Sequence, residues 1–346
     1  MTITPHRTGG REHSRTPSAL TMARNMTLPC MRAAIEGLHP DTASVCAHHF
    51  AWDQGGGGKC LRGAVVLLTA TAAGGEQAAA LPGAVAVELM HNFSLLHDDI
   101  MDDDEQRRGR PTAWLKFGTG QALLAGDALL GLSLRTLSDL PGDRGQAAAT
   151  ALLHAYTEMV DGQAADLALD ARSPSEVTEG DYLAAVPKTT ALIGCCATLG
   201  ACLAGTDAPL GTTLRSALME FALAWQIAND LEDIWGDPAA TGKPALSDLK
   251  HGKKTLPLIT ALRSNTPEAD RLAELLATTP PQVTEDGLRM QAELIEKTGA
   301  RAEAEARSRQ HLHNAVTHLS EALPPTRART DLEHLIQFVV TRSLSN

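Results

Sequence analysis

The chain has 346 residues, enough for one large domain or two medium ones, and 43% of them are hydrophobic but only 3% aromatic. The core must therefore be mostly Ala, Leu and Val, and the abundance of helix-favouring Ala, Leu, Glu and Arg beside few alternating β-branched runs predicts an all-α protein. A net charge of −11 excludes a general attraction to nucleic acid or anionic membrane, so any phosphate must be met by a local cluster of Lys and Arg.

Residues 1–25 are polar, with Gly9-Gly10, two prolines, and four arginines against one glutamate; they read as a disordered tail, open to a docking role. The N-terminus lacks the apolar stretch of a signal peptide, and no run of about 18 apolar residues predicts a membrane span. Helical pattern begins near Leu28 and continues to Cys46–Phe50, followed by a flexible break at Gly55-Gly56-Gly57-Gly58. Apolar helices are expected over roughly 60–73, 81–104, 119–138, 144–169, 188–205 and 208–235, then a loop at 236–252 too rich in Gly and Pro for helix. Helices resume over 253–262, 267–278, 284–322 with an interruption near Gly299, and 327–344. No long linker divides residues 26–346, which predicts one domain. Cys30, Cys46, Cys60, Cys195, Cys196 and Cys202 contain no metal-type CxxC pair and read as free thiols of a reducing cytoplasm.

Chemistry concentrates at a few points. Gly57-Gly58-Lys59-Cys60-Leu61-Arg62 looks like a phosphate cradle, glycines leading into a helix with Lys59 and Arg62 on one face; a plain glycine linker is the alternative. Asp98-Asp99-Ile100-Met101-Asp102-Asp103-Asp104 follows the apolar run Val85–Leu96. At helical spacing Asp98 and Asp102 share a face and Asp99 points about 100° away. Carboxylates at the mouth of a pocket suit a divalent cation, whereas a solvated acidic helix end is the bland reading. His91 lies two turns before Asp98, as a core histidine or a site residue. Arg107 and Arg108 follow the acids and could fork onto phosphate or pair with them. The second cluster, Asn229-Asp230-Leu231-Glu232-Asp233 with Asp237, puts Asn229, Asp233 and Asp237 on one stripe and Asp230 one position off it. Lys243, Lys250, Lys253 and Lys254 come after it, and Lys188-Thr189 opens another apolar helix. Two helices with the same order, apolar then acidic then basic, favour a site holding Mg²⁺ and a diphosphate between them.

Taken together these segments resemble the trans-isoprenyl diphosphate synthases (polyprenyl synthetases), short-chain and actinobacterial in type, from about Leu28 to the end. GGKCLRG is similar to the family's GGKxxRP, HNFSLLHDDIMDDDEQRRGRPTAW to its first aspartate-rich motif with RRGxP, and Ala125-Gly126-Asp127 to AGD. Gly162-Gln163-Ala164-Ala165-Asp166-Leu167 is similar to GQxxDL, Lys188-Thr189 to KT, and WQIANDLEDIWGDPAATGKPALSDLKHGKKTLP to the second aspartate-rich motif and its basic loop. The resemblance implies the isoprenoid synthase fold, an antiparallel helical bundle around a central apolar cavity, as a homodimer. It implies a prenyltransferase that joins isopentenyl diphosphate to an allylic diphosphate with three Mg²⁺ ions. By position, Asp98, Asp102 and Asp166 would hold metal on one wall and Asn229 and Asp233 on the other. Arg107, Lys188, Lys243 and Lys253 would hold the allylic diphosphate, with Thr189 and Gln226 nearby. Lys59, Arg62, His91 and Arg108 would hold isopentenyl diphosphate. Phe93 and Ser94, just before the first motif, would set product length, expected at C15 to C20 and leaning to geranylgeranyl diphosphate.

Two positions depart from the family pattern. Asn229 replaces an Asp, which predicts a more weakly held metal, and Gly63 replaces a Pro, which predicts a looser helix start. Asn229 also feeds two rival readings. NDLEDIWGD resembles the NDxxSxxxE motif of class I terpene cyclases, and a weakened metal site would suit a non-catalytic subunit that modulates an active partner. The presence of Lys59, Arg62, His91 and Arg108 favours the prenyltransferase, because a cyclase needs no isopentenyl site.

Overall fold

Apolar residues recur at three- and four-residue intervals along most of the chain, and these stretches are helices in the computed structural model, which describes residues 17–241, 245–277 and 284–345. In order they are α1 (Ser18–Glu36), α2 (Pro40–His49), α3 (Leu61–Ala72), α4 (Gln77–Met101), α5 (Ala113–Phe117), α6 (Thr119–Ser138), α7 (Asp143–Asp170), α8 (Glu179–Ala185), α9 (Pro187–Ala204) and α10 (Ala208–Trp235). Short helices α11 (Pro238–Thr241) and α12 (Ser247–Lys250) lie in the Gly/Pro-rich segment, and α13 (Leu256–Leu262), α14 (Pro267–Ala277), α15 (Glu285–Lys297), α16 (Ala300–Ala322) and α17 (Arg327–Ser345) complete the chain. The one sheet among the described residues is a two-stranded antiparallel hairpin, β1 (Gln106–Arg107) with β2 (Arg110–Pro111).

Short connections between α3 and α4, α6 and α7, and α9 and α10 make successive helices antiparallel neighbours. The centre is α9, which packs against α3, α4, α7 and α10. Its sequence explains the position: Gly194, Cys195, Cys196, Ala197, Gly200 and Ala201 are small and buried, so four helices can close around it. Larger side chains such as Phe50, Phe221, Leu67, Leu89 and Leu129 fill the layers outside it. A smaller apolar cluster, with Ile234, Leu258, Leu272, Leu288 and Ile295, packs beyond the end of α10.

Several expectations are corrected. The tail assigned to residues 1–25 ends earlier, because Ser18–Asn25 form the start of α1, with Ala19, Leu20 and Ala23 buried against the core; residues 1–16 and their docking role lie outside the described residues. The helix expected from Leu28 to Phe50 is two helices, broken at Gly37. α4 stops at Met101 because Asp103 turns left-handed (φ 53°), and the chain enters the hairpin instead of continuing as helix to 104. Two helices, α4 and α9, do have the length and mean hydropathy of a membrane span, but 67% of each such window is buried inside the bundle, so their apolar character is that of core helices.

Candidate active site

Asp98 and Asp102 sit one turn apart at the C-terminal end of α4, as their spacing predicted. The acidic run is divided by function. Asp98 lines a cavity, whereas Asp99 is 1% exposed and accepts from both Nε and Nη2 of Arg107 at 2.5 Å. Burial raises both carboxyls to about 6, against the nearby cations: Lys188 offsets it at Asp98, while Asp102 adds to it, and Arg107 offsets it at Asp99. The Asp99 grip aims the hairpin arginine, a role the sequence reading left to no residue.

Two cavities meet at Lys188. The first, of about 280 Å³, is mostly apolar and is lined by Phe93, Ser94, Tyr156, Met159, Leu167 and Met101, with Asp98 and Lys188 at its polar edge. The second, of about 200 Å³, is polar and is lined by Asp166, Lys188, Thr189, Gln226, Asp230, Asp233 and Lys253. Glycines bring their walls together. A Cβ on Gly126 of α6 would lie 2.4 Å from His97 of α4, and one on Gly162 of α7 would lie 2.3 Å from the Lys188 backbone nitrogen. The second approach lets Asp166, one turn beyond Gly162, pair with the Lys188 ammonium.

Lys253 completes this wall. Its Nζ lies 3.2 Å from Asp102, 3.7 Å from Asp166 and 3.6 Å from Asp170. Asp170 was not singled out in the sequence; its i, i+4 relation to Asp166 was the available signal. Among the described residues no three His, Cys, Asp or Glu side chains form a ready-made ligand set. Three carboxylates nevertheless converge on one ammonium, and a fourth, Asp98, is held partly desolvated beside them. Hard oxygen donors around a cation are what Mg²⁺ requires, so the residues present fit it.

The far wall differs from expectation. Asp230, not Asn229, faces the polar cavity with Gln226 and Asp233. Asp230 is 3% exposed and accepts from Tyr182 Oη at 2.8 Å and Gln226 Nε2 at 2.8 Å; burial raises its carboxyl to about 6. Asn229 Oδ1 instead accepts from Ser343 Oγ of α17 at 3.4 Å. The stripe of Asn229, Asp233 and Asp237 breaks because the helix ends at Trp235 and because α10 presents positions 226, 230 and 233 to the cavity. Lys243 lies outside the described residues.

A third cluster is cationic. Burial, and after it the charges of Arg62, Arg108 and Arg107, hold the His91 imidazole well below its usual range. Arg108 Nη1 donates to the His49 carbonyl at 3.1 Å. Lys59 is exposed at the end of the glycine turn. That turn is tied down by Arg24 of α1, which donates to the Gly58 carbonyl at 2.8 Å and the Gly56 carbonyl at 3.1 Å. Arg24 fell in the segment read as tail, so its part in the cradle could not be seen in the sequence.

A helical bundle with an apolar cavity closed at one end by carboxylates and cations defines an enzyme that handles an apolar diphosphate. Residues 47–290 match the family model described as polyprenyl synthetase. The chain is 38% identical to (2E,6E)-farnesyl diphosphate synthase of Mycobacterium tuberculosis, covering 98% of this chain and 97% of that one. It is 37% identical to geranylgeranyl diphosphate synthase of the same organism, covering 93% of each. Among solved structures, polyprenyl synthetase from Streptomyces coelicolor A3(2) superposes with a TM-score of 0.88 at 38% identity, over 93% of this chain and 98% of that one. The chain belongs to the polyprenyl synthetase family, and it is a short-chain trans-prenyltransferase with the all-α isoprenoid synthase fold.

Proposed function

We propose that this enzyme condenses isopentenyl diphosphate with an allylic diphosphate to a C15–C20 product, with geranylgeranyl diphosphate favoured. The observation that carries it is the junction at Lys188 of an apolar cavity and a carboxylate- and lysine-lined one, a place for a prenyl tail and its diphosphate. The bulky rings of Phe93 and Tyr156 line the apolar cavity and pack against each other, which supports a short product, and small Ser94 beside Phe93 supports C20 over C15.

Asp98, Asp102 and Asp166 on one wall and Asp233 on the other would hold Mg²⁺, three ions by family resemblance, which neutralises diphosphate charge when bound. The chain's own residues do the rest. Arg107, held by Asp99, together with Lys188 and Lys253 donates to the allylic diphosphate and stabilises the charge that grows as it departs. Thr189 and Gln226 line the same cavity. The apolar cavity keeps water from the allylic cation, and Lys59, Arg62, His91 and Arg108 hold isopentenyl diphosphate so that its double bond attacks at short range. A proton then passes to the released diphosphate. The cyclase and modulating-subunit readings drew on Asn229 and the motif around it; the relatives named as farnesyl and geranylgeranyl diphosphate synthases favour the prenyltransferase over both.

The exposed apolar residues Leu123 and Leu124 of α6 and Leu153 of α7, each at least 40% accessible, support a homodimer through these adjacent helices. The six free cysteines support a reducing, cytoplasmic setting. Mass analysis of products from dimethylallyl, geranyl and farnesyl diphosphate, each with isopentenyl diphosphate and Mg²⁺, tests the reading. Consumption of isopentenyl diphosphate with a C20 end product is expected; hydrocarbon from a single diphosphate would overturn it.

A further inference from the structure

The first turn of α3, immediately after the glycine cradle, has N–H groups that need acceptors. Cys60, at the N-cap, is left-handed (φ 51°) and its side chain makes no capping bond. The acceptor comes from another helix: Glu88 of α4, 4% exposed, takes the Gly63 N–H at 2.8 Å. Gly63 is the third helical position, one that a local Ser, Thr or Asp at the N-cap would ordinarily serve. The Arg62 guanidinium is itself buried, 8% exposed, and its Nε has no hydrogen-bond partner among the described residues. Glu88 is the carboxylate whose charge acts on Arg62, and it also acts on Arg108.

We propose that Glu88 is a positioning residue: it caps α3 from across the core, balances Arg62 and Arg108, and so holds the cationic cradle in register for the second diphosphate. Gly63 is the other half of the device. Proline, usual at this position in the resembling motif, has no N–H to give, so the glycine that was expected to loosen the helix start instead adds a bond to it. A Cβ here would meet Thr27 Cγ2 at 3.3 Å and Glu88 Cγ at 3.5 Å, so space for a larger residue is limited but the N–H is the feature that matters.

The inference rests on assigning Lys59, Arg62, His91 and Arg108 to isopentenyl diphosphate, and the test separates the two. Glu88→Gln, Gly63→Pro, their double variant and Arg62→Ala are compared in the full-length enzyme, with the KM for each substrate and the melting temperature measured. Glu88→Gln and Gly63→Pro should each raise the KM for isopentenyl diphosphate about tenfold and that for the allylic substrate less than about twofold. The double variant should cost more than either single change, since Glu88→Gln removes the charge but keeps an acceptor for the Gly63 N–H, and Gly63→Pro removes that N–H. If Arg62→Ala leaves the isopentenyl KM unchanged, the assignment of the cradle fails. If Arg62→Ala raises it while Glu88→Gln and Gly63→Pro do not, or raise both KM values equally, the positioning role fails.

Discussion

Phe93 of α4 and Tyr156 of α7, both lining the apolar cavity, meet edge-to-face with ring centroids 5.8 Å apart, and the His97 ring of the same cavity lies 4.8 Å from Phe93. The two rings together, rather than Phe93 alone, line the space that a growing chain would enter. Phe93→Ala and Tyr156→Ala should each lengthen the main product by at least one five-carbon unit, and the double variant should lengthen it further. Phe93 lines a cavity, so its truncation should sit at the low end of the roughly 3–5 kcal/mol typical of buried Phe→Ala changes. Mass spectrometry of the products decides; an unaltered distribution in the double variant would show that the floor lies elsewhere.

Asn229 faces Ser343 and Asp233 faces the polar cavity, so magnesium dependence should separate them. Asn229→Asp should move half-saturation by Mg²⁺ less than about twofold, whereas Asp233→Asn should raise it about tenfold, the loss of one charged ligand at roughly 1.4 kcal/mol. A tenfold gain from Asn229→Asp would mean that this side chain turns to the cavity when substrate binds.

Much of this was legible beforehand. Helical periodicity marked most elements from α3 to α17, and Asp98 with Asp102 followed from a four-residue spacing. Asp230 was missed because a stripe drawn on spacing alone has no origin: nothing in the sequence says which face of α10 looks inward, and one position is 100° of rotation. Arg24 and Glu88 were missed for a related reason. Each acts on a backbone group more than twenty positions away in the chain, Arg24 on Gly58 and Glu88 on Gly63, and such pairings carry no local signal. The division between Asp98 and Asp99 was half visible, since the 100° offset was evident but not its partner, Arg107.

The Asp230 carboxyl, raised to about 6 from 3.8 mainly by burial, gives a pH signature in the substrate-free enzyme. A carboxyl whose folded pKa lies above its unfolded value binds protons more tightly when folded. It therefore favours the fold at low pH, and this contribution is lost as pH rises from about 4 through about 6. Asp230→Asn removes the titration, and Tyr182 and Gln226 can reverse their hydrogen bonds to suit an amide. The variant should be more stable than the parent at pH 8, by up to about 3 kcal/mol, and equal to it near pH 4. Melting temperatures of both proteins across this range test it; a difference that does not depend on pH would assign the effect to packing.

Gly162 of α7 lies against the backbone at the start of α9. An added Cβ would fall 2.3 Å from the Lys188 nitrogen, 2.9 Å from the Pro187 carbonyl carbon and 3.0 Å from the Lys188 Cα, all backbone atoms that no rotamer change can move aside. Gly162→Ala should therefore push the two helices apart and carry Lys188 away from Asp166. Overpacking of this kind costs about 1–3 kcal/mol, and misplacing a charge-stabilising lysine by about an ångström should lower kcat by about a hundredfold. Gly211→Ala in α10 is the control, because its Cβ would meet only Ala201 Cβ at an ordinary 3.7 Å. That change should leave kcat intact and gain up to about 1 kcal/mol from helix propensity. Calorimetry and steady-state rates on the pair measure both effects, and equal rates in the two variants would show that the Gly162 contact does not position Lys188.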